Sequence, residues 1–362
     1  MSENRDFHLP FTPSPAIRLL RQEGQLLSSE AALVDFVARS ENWKDGDSSS
    51  CETKGRLLLL GLLPKDLKHS NDIQNIAYPY SMFEEPAGQS LLTLAVYLSP
   101  SERKAIDRQV GALTNVLATL TSPSDTFGTV ANVLSNSVTG PTGGSEAPIP
   151  TPNTGFNSWS EAFNMLLEGI MRDGEDISVL LPYDVIRAHY ERLCWHLDAV
   201  TVARLAILDV GNEANIMVSR EPSDPTVTGS AKVKLTGLRS WSQGIFGDPL
   251  IADAFVNPSV EFLEGWREGG DVFEGDNVDI RMLLYRCYRA VVEIVTEHYR
   301  PQADSSRKEL EGRRKLTIVL VELERAESML DDNSKRSRSP SESGVGDTSK
   351  RPKLEMEFAQ QI

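Results

Sequence analysis

Three cysteines and five histidines are the side chains of this 362-residue chain best suited to nucleophilic or metal chemistry. Cys51, Cys194 and Cys287 are odd in number, widely spaced and without a C-x-x-C pair. They define neither a disulfide framework nor a zinc site, and a reducing, intracellular setting is expected. Of His8, His69, His189, His196 and His298, only His189 and His196 stand near one another, seven residues apart on an expected helix. Two turns is too far for chelation without a third ligand. The other polar cluster is the turn DVGNEAN (209–215), flanked by the short apolar runs 205–208 and 216–218. A hairpin continued by residues 232–238 is the expected form.

The elements that would position these groups are mostly helical. Apolar residues recur at three- and four-residue steps over 17–39, after FTPSP, which cannot be helical. Residues 57–63 (LLLLGLL) fit a buried strand or a helix start, and 76–84 read as a strand ended by Pro86, Ala87 and Gly88. Ser99, Pro100 and Glu102 form a helix start, with Ser99 as N-cap and Glu102 as its capping-box partner, for a helix reaching about residue 120. Residues 121–158, rich in Ser, Thr, Gly, Pro and Asn, are expected to be a flexible insertion. Further amphipathic helices are expected over 159–173, 182–197, 279–299 and roughly 306–330.

Composition bounds the rest. The chain carries 37 Lys and Arg against 52 Asp and Glu, a net charge of −15, with 40% hydrophobic and 25% charged residues. Those proportions are those of an ordinary globular protein. The longest apolar run is far short of the roughly 18 residues a spanning helix needs, so no membrane partner is expected. Nor does the acidic balance suit a general nucleic-acid binder.

The segment 205–250 resembles the catalytic core of the aminoglycoside phosphotransferase and choline kinase-like family. Asn215-Ile216-Met217-Val218, then Thr236-Gly237-Leu238, then Phe246-Gly247-Asp248-Pro249-Leu250 follow the family order H-x-D-x-x-x-x-N-I-x-V, T-G-I-I-D-W-E and W-G-D-P-L. The segments around Leu98 to Gly111, Trp159 to Phe163, Leu181 to Tyr183, Phe262 to Trp266 and Leu284 to Arg300 also keep family order, so the resemblance covers residues 9 to about 325. It implies an α+β, protein kinase-like bilobal fold: a truncated small β-containing N-lobe over 1–88 and a mainly helical C-lobe over 89–330.

The departures fall on the chemistry. Phosphoryl transfer needs a carboxylate near the attacking hydroxyl and oxygen ligands for Mg²⁺. Matching Asn215 places Leu208 at the family's histidine and Val210 at its catalytic aspartate. Matching Gly247, Asp248 and Pro249 places Ser240 at the metal-binding aspartate, and serine is a weak Mg²⁺ ligand. Asp209, beside the vacant catalytic position, is a substitute base or else a solvated or capping carboxylate. Asn215 stands at the second metal position or serves as a turn former. Asp248, with Gly247 and Pro249, matches a structural part of the motif. Glu30 matches the helix glutamate that pairs with the ATP lysine, or is a solvent-facing helix residue. Pro10 falls about where that lysine would stand, and no glycine-rich loop precedes Gly24.

The resemblance thus implies a pseudokinase-like protein that acts by binding an unidentified protein partner, with no cofactor. The alternative is a divergent phosphotransferase acting on a small-molecule hydroxyl with ATP and Mg²⁺. Beyond residue 331 apolar periodicity stops, and a disordered tail is expected. Lys335, Arg336 and Arg338, then Lys350, Arg351 and Lys353, resemble a bipartite nuclear import signal, which implies an import receptor and a nuclear or nuclear and cytoplasmic location. Ser337, Ser339 and Ser341 are expected phosphosites, where phosphate would lower the adjoining positive charge.

Overall fold

A computed structural model of the chain describes residues 7–8, 19–39, 59–70, 80–134, 155–220, 233–270 and 277–337; the side chains of 7, 8, 66, 67 and 328–337 are outside the description. The fold is α+β, mainly helical, with small antiparallel sheets and no barrel. Its longer helices are α1 (Leu26–Arg39), α2 (Pro100–Ala118), α3 (Trp159–Asp176), α4 (Tyr183–Leu193), α5 (Val260–Glu268), α6 (Val278–Tyr299) and α7 (Ser305–Ser337). The strands are β1 (Phe7–His8), β2 (Lys65–Ser70), β3 (Tyr80–Glu84), β4 (Gln89–Ser90), β5 (Gly128–Thr129), β6 (Arg204–Ile207), β7 (Ile216–Arg220), β8 (Val233–Leu238) and β9 (Gly244–Gly247). They form three-stranded sheets in the orders β1-β3-β2, β4-β7-β8 and β5-β9-β6.

Local signals account for the helices. Ser99 Oγ accepts from Glu102 N–H, and the Glu102 carboxylate accepts from Ser99 N–H at 2.8 Å, which closes the capping box of α2. Ile106, Val110, Leu113 and Leu117 then bury one face of that helix. On α6 the buried stripe is Leu284, Tyr288, Val291 and Val295, and on α7 it is Leu316, Val319 and Leu323. One continuous apolar core takes in Ala32 and Leu33 of α1 as well as Leu323 of α7. Where α2 crosses α5, a Cβ on Gly111 would strike the Phe262 carbonyl, and one on Gly265 would strike the Arg108 carbonyl.

Several expectations are corrected. The runs 205–208 and 216–218 do not pair: β6 bonds to β9, and β7 bonds to β4 and β8. The intervening polar segment is therefore a crossing between two sheets rather than a hairpin turn. The expected flexible insertion begins inside the core, because Phe127, Val130, Val133 and Leu134 are buried. Phe127 and Phe156 exchange backbone bonds of 2.9 and 2.8 Å, which draw the two ends of the insertion together; residues 135–154 lie outside the described residues. The helix expected over 182–197 stops at Leu193 and tightens into a 3-10 turn, Cys194–Ala199. Residues 59–62 form a helical turn that buries Leu59 and Leu62.

The last correction concerns the tail. Backbone helix runs on to Ser337, past the expected end near 330. Residues 331–337 carry no strong helix breaker, and lengthening an existing helix needs no new nucleus. Missing apolar periodicity does not mark the end of the backbone helix here. Lys335 and Arg336 thus lie on its last turn, whereas Arg338, Lys350, Arg351 and Lys353 lie outside the described residues, as do Pro10 and Cys51.

Candidate functional site

Three sequence-distant segments meet where α1 packs on the chain leaving β8. Glu30 is on α1, Asn215 closes the crossing before β7, and Ser240 follows β8. Far from facing solvent, Glu30 is 2% exposed. Its Oε1 accepts from Trp241 N–H at 2.7 Å and from Ser240 Oγ–H at 3.1 Å. Burial pushes the Glu30 carboxyl above its ordinary range, and those two bonds oppose the rise. Ser240 Oγ also lies 2.8 Å from Ser242 Oγ and accepts from Ser242 N–H.

Asn215 is turned to the same loop. Its Oδ1 accepts from Ser240 N–H at 2.8 Å, and its Nδ2 donates to the Ser240 carbonyl at 3.1 Å. The amide thereby clamps both backbone groups of one residue, while Asn215 O accepts from Arg239 N–H. This is the work of a buried asparagine that fixes backbone. Within the crossing, Asn212 Oδ1 accepts from Ala214 N–H, an Asx turn that sets the approach to Asn215.

Leu208 and Val210 are buried, Val210 completely. Asp209, between them, is half-buried, and its Oδ1 is buried with no hydrogen-bond partner. That oxygen is neither solvated nor engaged as a cap. Burial first, and the neighbouring charge of Asp253 second, push its pKa up to about 7, while Arg289 acts in the opposite direction. Asp253 Oδ1 accepts from Gly211 N–H at 2.6 Å. Arg289 donates to the carbonyls of Leu208 at 2.9 Å and Ile251 at 3.0 Å. Asp253 and Arg289 escaped sequence reasoning, and no motif around either one marks it.

The Gly247-Asp248-Pro249 turn is a separate buried network. Asp248 Oδ2 accepts from Arg281 at 2.8 Å and from Tyr285 Oη–H at 2.7 Å, and Oδ1 accepts from Leu250 N–H. Tyr285 Oη in turn accepts from Trp159 Nε1–H at 2.7 Å. Gly247 lies against the Trp159 ring, which occupies the space a side chain would need. Pro249 then opens a 3-10 turn.

The histidine pair is not assembled into a site. His189 Nδ1 lies 2.6 Å from Glu327, whereas His196 is buried against Trp195 with neither ring nitrogen bonded. Among the described residues no group of three or more His, Cys, Asp or Glu side chains is placed to hold a metal. The side-chain oxygens gathered at Ser240 are its own hydroxyl, the Asn215 amide oxygen, which accepts from Ser240 N–H, and the Glu30 carboxylate, which accepts from Trp241 N–H and the Ser240 hydroxyl. No helix among the described residues is long and apolar enough to cross a membrane. Comparison with protein-family models, with curated proteins and with solved structures found no match.

Proposed function

We propose that this chain is a protein of the aminoglycoside phosphotransferase and choline kinase-like type, with a bilobal kinase-like arrangement, that has lost phosphotransfer and acts by binding a protein partner. The observation that carries this reading is the Asn215–Ser240–Glu30 chain of hydrogen bonds. Groups that would serve a metal-nucleotide in such a protein here satisfy one another. Val210, at the position of the catalytic base, is an apolar side chain in the core. Removing one well-placed charge-stabilising group costs about 10²–10³ in rate. Such losses do not add simply, but two are combined here, at Val210 and Ser240.

Asp209 favours a second reading, a divergent phosphotransferase. A carboxyl with an unpartnered oxygen and a pKa of about 7 suits a general base toward a small-molecule hydroxyl. Calorimetric titration of the folded full-length chain with ATP, with and without Mg²⁺, separates the two. The first reading expects no heat at millimolar ATP. Micromolar binding that strengthens with Mg²⁺ would overturn it in favour of the second.

A further inference from the structure

Helix α7 buries one stripe and leaves the opposite one uncovered. Leu316, Val319 and Leu323 enter the core, whereas Leu310, Ile318 and Val321 are 54%, 54% and 42% exposed. In the order Leu310, Arg314, Ile318, Val321, Arg325 the steps are four, four, three and four residues, which places all five on one helix face. Beside it, Arg313 donates to the Leu180 carbonyl at 2.7 Å and brings that exposed leucine to the flank of the helix. Arg314 and Arg325 have no ion pair among the described residues. Glu311 and Glu324 are exposed at the two edges of the face, and Glu322 is paired with Arg286.

What covers such a stripe must be apolar, carry acids and be close at hand. Three exposed apolar side chains fall short of the roughly 800 Å² per partner on which separate proteins form a stable complex. A segment of the same chain needs less, because a tether holds it at an effective concentration of about millimolar. Residues 354–362 (LEMEFAQQI) have the matching pattern: wound as a helix, Leu354, Phe358 and Ile362 recur at four-residue steps, with Glu355 and Glu357 on the two sides. Lys350, Arg351 and Lys353, just before them, have the sign that suits Glu311 and Glu324 at the edges. The length also fits. Doubling back from Ser337 to Val321 crosses sixteen residues of helix, about 24 Å. A Ser- and Gly-rich linker as long as residues 338–353 spans about 20–24 Å root-mean-square, and effective concentration is greatest when linker and span agree.

We infer that residues 354–362 dock on the outer face of α7 of their own chain, with Leu354, Phe358 and Ile362 against Leu310, Ile318 and Val321, and with Glu355 and Glu357 toward Arg314 and Arg325. Nine residues make a marginal helix alone, so the segment gains its order from the dock. The inference depends on neither the nucleotide reading nor nuclear import.

Amide hydrogen exchange of the full-length chain, read by mass spectrometry, tests this against a free peptide of residues 350–362. Docking is expected to slow exchange over 355–362 at least about tenfold, and equally at chain concentrations of about 1 and 100 μM. Ile318→Ser should return exchange to the rate of the peptide, and Val321→Ser serves as the second variant should the first not fold. Arg314→Glu with Arg325→Glu should do the same. Adding Glu355→Arg and Glu357→Arg to that pair should restore protection, a rescue that altered stability of α7 alone would not produce. Peptide-like exchange in the wild type, protection unmoved by the folded α7 variants, or no rescue by the charge swap would each overturn the inference. Protection that grows with concentration would assign the stripe to a second copy of the chain and overturn it as well.

Discussion

Asp209 shows how far burial can carry one carboxyl from its expected part. Its folded pKa is raised from 3.8 to about 7, so the folded chain holds the proton that the unfolded chain releases. Stability from this group is therefore full below the unfolded value and is lost as pH rises through 7. Asp253 and Glu30 are raised in the same direction by burial; half-buried Arg289 opposes the rise at Asp209 and Asp253, and the bonds from Trp241 and Ser240 oppose it at Glu30. Asp209→Asn removes the cost of ionising this site. Its gain in stability over wild type should be near zero at pH 4 and grow to at most about 4 kcal/mol at pH 8. Melting curves of both proteins at the two pH values decide this, and a gain independent of pH would show that the carboxyl is not held protonated by burial. Sequence reasoning reached Asp209 as a candidate but not its environment, because Asp253 and Arg289 join it only through the fold.

At the scale of elements, the α2 and α5 crossing is the tightest test of packing. Gly111 and Gly265 allow each helix backbone to approach the other without an intervening side chain. Gly265→Ala would gain helix propensity, about 1 kcal/mol, but its Cβ would meet the Arg108 carbonyl, backbone that cannot yield as a side chain can. The clash should prevail, with a net loss of about 1–3 kcal/mol in urea unfolding. A more stable variant would mean that the two helices can separate freely. The capping box of α2 was readable from Ser99, Pro100 and Glu102, since a cap is made within one turn. The crossing was not, since nothing near Gly265 in sequence names Arg108 as its neighbour.

For the whole molecule, the continuous core joins α1 to the C-terminal helices, and the backbone helix of α7 runs on to Ser337. We propose that the basic clusters beyond this core direct nuclear import. In a full-length fluorescent fusion, replacing Lys335, Arg336, Arg338, Lys350, Arg351 and Lys353 by alanine should shift the protein from nucleus to cytoplasm. An unchanged distribution would remove this part of the proposal. The proposed protein partner would then have to be sought without a nuclear address.

The sequence by itself determined most of the longer helical stretches and the Ser99 cap of α2, and it carried a resemblance of residues 205–250 to a phosphotransferase core in which Val210 and Ser240 stand where that family has aspartates. Such features are local: an apolar period, a cap or a motif is complete within a few residues. Tertiary structure alone decided that β6 pairs with β9, that Glu30 meets Ser240 from 210 positions away, and that Asn215 is spent on backbone. It also decided the Asp209 pKa and which face of α7 stays outside the core. Strand partners depend on which apolar faces can be buried together, and a pKa depends on how much water remains around a charge. Both are set by residues that only the folded chain brings into contact.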